Sequence, residues 1–386
     1  MIDLTQTGKS KLSVCLCMIV RDEEINVQRA LKSAFTIADS FVILDTGSRD
    51  KTIDKVRQTL NGREHHVVLS DWKGFSESRN EALLIARKSS DYVIFLDADD
   101  FFVGDASRAR AQIASASHWL CFSFNGWVRN VVQFAVRSDQ PLGWIGERHE
   151  YIENRKFSLS ESPRLIKCLS KRYTHSGFRS KQANTWKQDL QSLREEWETI
   201  NPDMKRQQCR NMFYQAQTLQ ADGDLLAAQK MFVARAAMHD GDEEERWYAE
   251  LSSVRLAEIL ELPDIDLASK YSNLVLTRSR RAEAYLDLAR RLRMDGRFRE
   301  AETLGRACAE MPLSDDWICV DTAAHSINAW DEQAINFHVL GLHDEASRLW
   351  RQVLLFGNQS PQSRNRIERA VIDSFLRSHK IKNSAW

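Results

Sequence analysis

The most constraining feature of this chain is an alternation near its N-terminus. Short apolar, β-rich runs at 12–20, 40–44, 66–69 and 91–96 are separated by polar stretches with helical spacing. Within 26–38 the apolar positions Val27, Ala30, Leu31, Ala34 and Phe35 fall on one helical face, and 52–60 and 76–86 read the same way. Strand–helix–strand–helix order implies parallel strands covered by helices, hence an α/β domain with a mostly parallel sheet. In such sheets ligands bind beyond the carboxyl ends of the strands. The residues just after each apolar run are therefore the candidate functional residues.

The first run ends in Val20-Arg21-Asp22-Glu23-Glu24. Arg21 and Glu23 suit a polar ligand, and Asp22 could equally cap a helix start. The second ends in Leu44-Asp45-Thr46-Gly47-Ser48-Arg49-Asp50. Asp45, left unpaired by the sheet, would point into the crevice, where it suits an imide N–H or a ribose hydroxyl. Asp50 can cap the next helix. After the third run comes Asp71-Trp72-Lys73-Gly74-Phe75-Ser76-Glu77-Ser78-Arg79-Asn80. Ser76 is a plausible N-cap, which puts Arg79 in the first turn, facing a phosphate or sugar or else pairing with a nearby Asp. The fourth run, Tyr92-Val93-Ile94-Phe95-Leu96, delivers Asp97-Ala98-Asp99-Asp100. Three carboxylates in four residues repel one another and call for a cation. Mg2+ or Mn2+ with a bound diphosphate meets that need.

These four motifs in order (LSVCLCMIVRDEE, FVILDTGSRDKT, DWKGFSESRNEAL, DYVIFLDADD) resemble the family 2 glycosyltransferases of GT-A fold, over residues 12 to about 180. The resemblance implies inverting transfer from a nucleotide-activated sugar, with a UDP-sugar favoured. It places Asp45 at the nucleobase, Asp97 at the ribose or metal, and Asp99 at the metal. Trp144-Ile145-Gly146-Glu147-Arg148-His149-Glu150 is similar to the family's acceptor-side segment. Inverting transfer needs one base, for which Glu150 is the choice, with His149 as its orienting neighbour and the two roles open to exchange. In Tyr173-Thr174-His175-Ser176-Gly177-Phe178-Arg179 the resemblance suggests His175 as a metal ligand beside Asp99, and Arg179 or Lys181 at the diphosphate.

From about Trp186 the texture is helical. A pattern of aromatic, small residue, Gly, Ala and large apolar residue recurs at Tyr214–Ala216–Gly223–Ala228–Phe232 and at Tyr285–Ala289–Gly296–Ala301–Leu304. A looser copy runs through Phe337, Gly341, Ala346 and Leu349, and one of slipped spacing through Tyr248, Ala257, Ala268 and Tyr271. Gly223 and Gly296 stand about two periods of the ~34-residue helix-turn-helix repeat apart. The tail thus resembles degenerate tetratricopeptide repeats, and the whole resembles bacterial glycosyltransferases that carry such repeats, including those acting on peptides. The expected division is 1–186 for the GT-A domain and 187–386 for the helical domain. Repeat arrays make concave surfaces, so a peptide or protein acceptor is expected, with dimerisation through the repeats as the competing use. The stretch 239–245 reads as a solvated loop, and the arginines at 290, 291, 293, 297 and 299 as ordinary helical surface.

Composition narrows the classes. Lys+Arg and Asp+Glu are both 54. The first 186 residues carry 27 basic and 22 acidic side chains, net +5, and the remainder is net −5. A mildly basic first half suits anionic donors, whereas zero overall charge weakens a nucleic-acid acceptor. Seven cysteines without a C-x-x-C pair, two of them inside an apolar strand, read as reduced thiols of a cytoplasmic protein. No run approaches a membrane span. Two alternatives stay open. One is the same donor chemistry on a lipopolysaccharide-core sugar or a hydroxylated DNA base. The other is a repeat scaffold with a vestigial donor domain.

Overall fold

The computed structural model describes residues 12–154, 162–174, 176–177, 184–356 and 359–383. The alternation read from the sequence is present as β1 (Val14–Val20), α1 (Val27–Ser33), β2 (Ser40–Asp45), α2 (Thr52–Thr59), β3 (Glu64–Leu69), α3 (Phe75–Ala86) and β4 (Tyr92–Phe95). Six further elements follow: β5 (Phe101–Gly104), α4 (Ala106–Ile113), β6 (His118–Asn125), β7 (Val128–Arg137), β8 (Leu142–Ile145) and β9 (Tyr151–Asn154). The unit closes with β10 (Arg164–Arg172) and α5 (Thr185–Thr199). The sheet runs β3-β2-β1-β4-β7-β6-β10-β5. Its first four strands are parallel, whereas β7 meets β4 antiparallel and β5 meets β10 antiparallel, so the sheet is mixed. Val20 pairs with Asp45 and Asp45 with Leu69, which sets the carboxyl ends of three strands level.

Strand alternation divides the core between the two faces of this sheet. Leu16 and Met18 of β1 pack with Ala30, Leu31, Phe41, Ile43 and Val56 on one side. Cys15 and Cys17 pack with Val42, Leu44, Leu83, Phe95 and Trp144 on the other. All seven cysteines are unpaired, and burial pushes the Cys15 thiol up to about 11. These thiols are packing residues. The expected helix over 26–38 is shorter in the structure, because α1 gives way to turns at Ala34.

The chain divides into two compact units, residues 1–126 with 130–200, and residues 127–129 with 201–386. The second unit is built of helical pairs: α6 (Lys205–Asp222) with α7 (Leu225–Ala237), α8 (Glu243–Ile259) with α9 (Leu267–Thr277), α10 (Ala282–Met294) with α11 (Phe298–Glu310), and α12 (Ile327–Val339) with α13 (His343–Leu355), then α14 (Pro361–Asn383). A two-residue strand, β11 (Val320–Asp321), precedes α12 and pairs antiparallel with Arg129 and Val128. Gly223, Gly296 and Gly341 supply the left-handed turns of three pairs. The slipped copy turns instead through Glu261 and Asp264, both at positive φ, which is why no glycine marked it.

Successive first helices are joined by arginine–carboxylate rungs. Arg210 meets Glu245 at 2.7 Å, Arg255 meets Asp287 at 2.6 Å, Arg293 meets Glu332 at 2.7 Å, and Arg366 pairs with Asp331. One reading is corrected here. The stretch 239–245 is not all loop: Asp242 caps α8 through the Glu244 and Glu245 amides, and Glu245 is buried on its rung. The arginines at 290, 291, 293 and 297 lie exposed or half-buried on the helical surface, as expected, each paired with a carboxylate of the same unit. Of the tail tryptophans, Trp350 is core and Trp317 is 40% exposed.

Candidate active site

Each loop beyond the sheet is organised by its own carboxylates. Asp22, at φ 52°, accepts the Arg49 amide at 2.6 Å and thereby shapes the loop after β2 rather than capping α1. Asp50 accepts the Thr52 amide at 2.9 Å and the Glu24 amide at 3.1 Å, but the N-cap of α2 is Lys51, which makes no side-chain cap, so Asp50 stands one residue before the cap position expected of it. Asp45 is buried, and its carboxylate is not unpaired. It accepts the Gly47 and Ser48 amides at 3.2 and 3.0 Å and the Ser48 hydroxyl. A short side chain ending a strand can satisfy itself on the turn that follows. Arg21 is half-buried at the end of β1. Glu23, buried beside it, accepts Asn26 Nδ2 at 2.9 Å.

The helix after the third strand begins one residue early. Gly74, at φ 97°, is its N-cap, and Ser76 donates to the Gly146 carbonyl instead of capping. Glycine suits this position because φ 97° strains any residue with a side chain. Asn80 locks the same helix to β8, donating to the Trp144 carbonyl at 2.9 Å and accepting the Trp144 amide at 2.8 Å. The result is that Arg79 lies between two carboxylates. Its Nη2 is 2.8 Å from Asp97 Oδ1 and its Nε 3.6 Å from Glu150 Oε1, with the guanidinium 4.9 Å from the Trp144 ring centre.

Charge at this centre is unevenly held. Burial works against the ionised form of Asp97, but Arg79 and then Lys171 outweigh it, and its carboxyl sits below the usual range. Burial, then Asp97 and Glu23, push Asp99 up to about 6. Burial and then Asp97 push Asp100 up to about 8, and its buried Oδ1 lacks a hydrogen bond among the described residues. The acidic cluster is thus undercompensated, and its hard oxygen donors match a divalent cation. Asp99, Asp97 and Glu23 are the described side chains that would face it. Among the described residues no three His, Cys, Asp or Glu side chains already stand at metal-binding spacing. His175, expected as the further ligand, and Arg179 and Lys181 lie outside the described residues.

His149 is exposed with a left-handed backbone, φ 53°. The Glu150 side chain is 10% exposed. Burial raises its carboxyl above the usual range, and Arg79 offsets only part of that. Of the two, the glutamate is the buried group whose carboxyl is raised above the usual range, the direction that favours a proton acceptor. Arg148 is fixed to Asp189 of α5 at 2.6 Å and lies over the Phe75 ring. Three residues that hold these groups were not singled out from the sequence: Asn26, Asn80 and Gly177. Asn80 stands next to Arg79 in one motif and could have been noticed. The partners of Asn26 lie up to 150 residues away and left no local signal.

Residues 15–114 match the model of glycosyl transferase family 2. A TPR repeat-containing protein of Synechococcus elongatus is 38% identical over 108 residues, covering 28% of this chain and 25% of that protein. An uncharacterized glycosyltransferase of Rickettsia bellii is 29% identical over 83 residues, 22% of this chain and 26% of that one. The chain therefore spans about a quarter of the length of the curated relatives it matches. Among solved structures, S. aureus TarS 1-349 in complex with UDP-GlcNAc aligns with 71% of this chain and 87% of its own, at 14% identity and a TM-score of 0.34. BtubC of P. vanneervenii aligns with 54% of this chain and 87% of its own, at 12% identity and a TM-score of 0.41. No described helix is long and apolar enough to cross a membrane.

Proposed function

From the match of residues 15–114 to the glycosyl transferase family 2 model, we propose that this chain transfers a sugar from a nucleotide-sugar donor, a UDP-sugar in the first instance, to a peptide or protein acceptor. The reaction is an inverting, divalent-metal-dependent displacement. The observation that carries the reading is the placement of Arg79 between Asp97 and Glu150, with Asp99 beside Asp97. One helix turn thereby joins the carboxylates that would face the donor to the carboxylate that would face the acceptor.

In this reading the acceptor O–H or S–H attacks the anomeric carbon, and the bond from that carbon to the diphosphate oxygen breaks. The nucleoside diphosphate leaves with the bonding pair, and Glu150 takes the acceptor proton. A cation held by Asp99, Asp97 and His175, when bound, supplies charge neutralisation for the departing diphosphate. Asp45 faces the nucleobase, for which Ser48 is the competing partner of its carboxylate. Arg21, Glu23 and Arg179 complete the donor side, and His149 borders the acceptor. Holding donor and acceptor in line accounts for much of the acceleration. The helical unit supplies an extended surface for the acceptor chain, as arrays of helical pairs do.

The test is hydrolysis of a panel of nucleotide sugars with Mn2+, repeated on Asp99→Ala. Metal-dependent turnover that Asp99→Ala abolishes is the expected result. No turnover with any donor overturns the enzymatic reading. Mass spectrometry of a lysate treated with labelled donor then identifies the acceptor, and label confined to lipid or DNA overturns the peptide assignment.

A further inference from the structure

Asn26 is a buried polar side chain to which the chemistry above gives no task. It is 1% exposed and stands at the N-cap of α1. An asparagine at that position ordinarily accepts an N–H from the first helical turn. This one makes no such bond. Its amide is directed elsewhere. Nδ2 donates to Glu23 Oε2 at 2.9 Å and to the Ser176 carbonyl at 3.0 Å. Oδ1 accepts the Ser176 hydroxyl at 2.7 Å and an Arg29 N–H at 3.4 Å. Both donors and both lone pairs of the amide are engaged, and none of these bonds is made to the amides that open α1.

The bonds lead to Asp99. Ser176 Oγ lies 2.7 Å from Thr174 Oγ1, which donates to the Asp99 carbonyl at 2.7 Å. Arg29 reaches the same carbonyl at 3.2 Å and Thr174 Oγ1 at 3.1 Å. Next along the chain, the Gly177 amide donates to the Asp99 carboxylate. A Cβ on Gly177 would stand 2.5 Å from Asp99 Oδ2 and 3.1 Å from Glu23 Oε1. The backbone therefore passes close to both carboxylates, and Asn26 joins Glu23 to the segment that does so.

We propose that Asn26 is a positioning residue for the cation-binding end of the site. With one N–H it holds the Glu23 carboxylate, and with the other it docks the Ser176 carbonyl, next to the Gly177 backbone that lies against Asp99. Divalent-cation affinity depends on this joint, while metal-free nucleotide recognition at the other strand ends does not. The inference rests on the metal-dependent reading given above, and it is separable from catalysis because binding alone reads it.

The experiment is a Mn2+ titration of the full chain by electron paramagnetic resonance, with UDP present, on wild type and Asn26→Ser. Serine is itself a good N-cap, so the helix start is preserved while the long-range bonds are cut. The expected result is a Mn2+ Kd raised roughly 10- to 100-fold, the usual effect of losing an outer partner of a metal ligand, with metal-free UDP affinity within about twofold of wild type. Ser176→Ala shifts Mn2+ affinity the same way by less, and the double variant is no weaker than Asn26→Ser, because both cut one joint. Three results overturn the proposal: unchanged Mn2+ affinity in a folded Asn26→Ser, equal losses of Mn2+ and metal-free UDP binding, or no Mn2+ binding by wild type with UDP. Should Asn26→Ser fail to fold, unchanged Mn2+ affinity in Ser176→Ala overturns it instead. A wild type that binds Mn2+ and UDP yet transfers no sugar refutes the catalytic reading alone.

Discussion

A carboxylate nine-tenths buried, its charge only partly offset by Arg79, with one oxygen lacking a hydrogen bond, keeps its proton more readily than a surface glutamate does. That is the environment of Glu150, and it makes the residue a sharper test than its neighbour. Glu150→Gln preserves shape and removes the proton acceptor. The expected result is a fall in kcat of about 10²- to 10⁴-fold with donor KM little changed, measured by steady-state kinetics. His149→Ala, at an exposed position, is expected to cost less than tenfold in the same assay. Gly177→Ala puts a methyl 2.5 Å from Asp99 Oδ2. Metal-stimulated turnover is expected to fall at least tenfold, while metal-free UDP binding, followed by calorimetry, persists. At this scale the sequence exposed the acids and offered Arg79 as partner of a nearby Asp, which Asp97 is, but concealed the rest. Asp97 and Asp99 were visible because a fully apolar strand delivered them. That Asp45 would be satisfied by Ser48, or Arg79 shared by Asp97 and Glu150, depends on loop geometry and on a residue some 70 positions away.

At the scale of elements, α3 and the β8 strand act as one piece because Asn80 bonds both polar groups of the Trp144 backbone. Asn80→Ala removes both of these bonds to the Trp144 backbone. A loss of about 2 kcal/mol in urea unfolding is expected, together with lower kcat, since Trp144 underlies Arg79. The helical rungs admit a similar test. Asp287 is buried, and Arg255→Ala leaves it to Arg290 alone at 3.2 Å. Allowing for partial exposure of the Arg255 side chain, a loss of about 1–3 kcal/mol is expected in the same measurement. The elements themselves were largely legible, because period-two and period-3.6 patterns depend on local burial. Three things were not legible. The sheet becomes mixed beyond β4, Gly74 displaces Ser76 as a cap, and the second helical pair turns without glycine. Each is decided by a partner distant in the chain or by a strained φ that composition does not announce.

For the whole molecule, the neutral total conceals concentrated buried charge. In the helical unit Arg281 is fully buried, 2.9 Å from Glu283, and His325 lies 3.7 Å from the same carboxylate. Burial disfavours the charged glutamate, yet the His325 bond and Arg281 together hold Glu283 at about 2. A carboxyl depressed in the folded state stabilises it above its unfolded pKa and loses that contribution as pH falls through the folded value. Stability is therefore expected to decline between about pH 4.5 and pH 2, by up to about 3 kcal/mol from this group. Urea titrations across that range check it, and Glu283→Gln should flatten the slope. The rungs linking α6, α8, α10, α12 and α14 have a mechanical consequence too. A body riveted at regular stations, with separate apolar clusters between them, parts one station at a time. Pulled from its ends in an optical trap, the helical unit is expected to lengthen in several short steps, whereas a single continuous core would let go all at once.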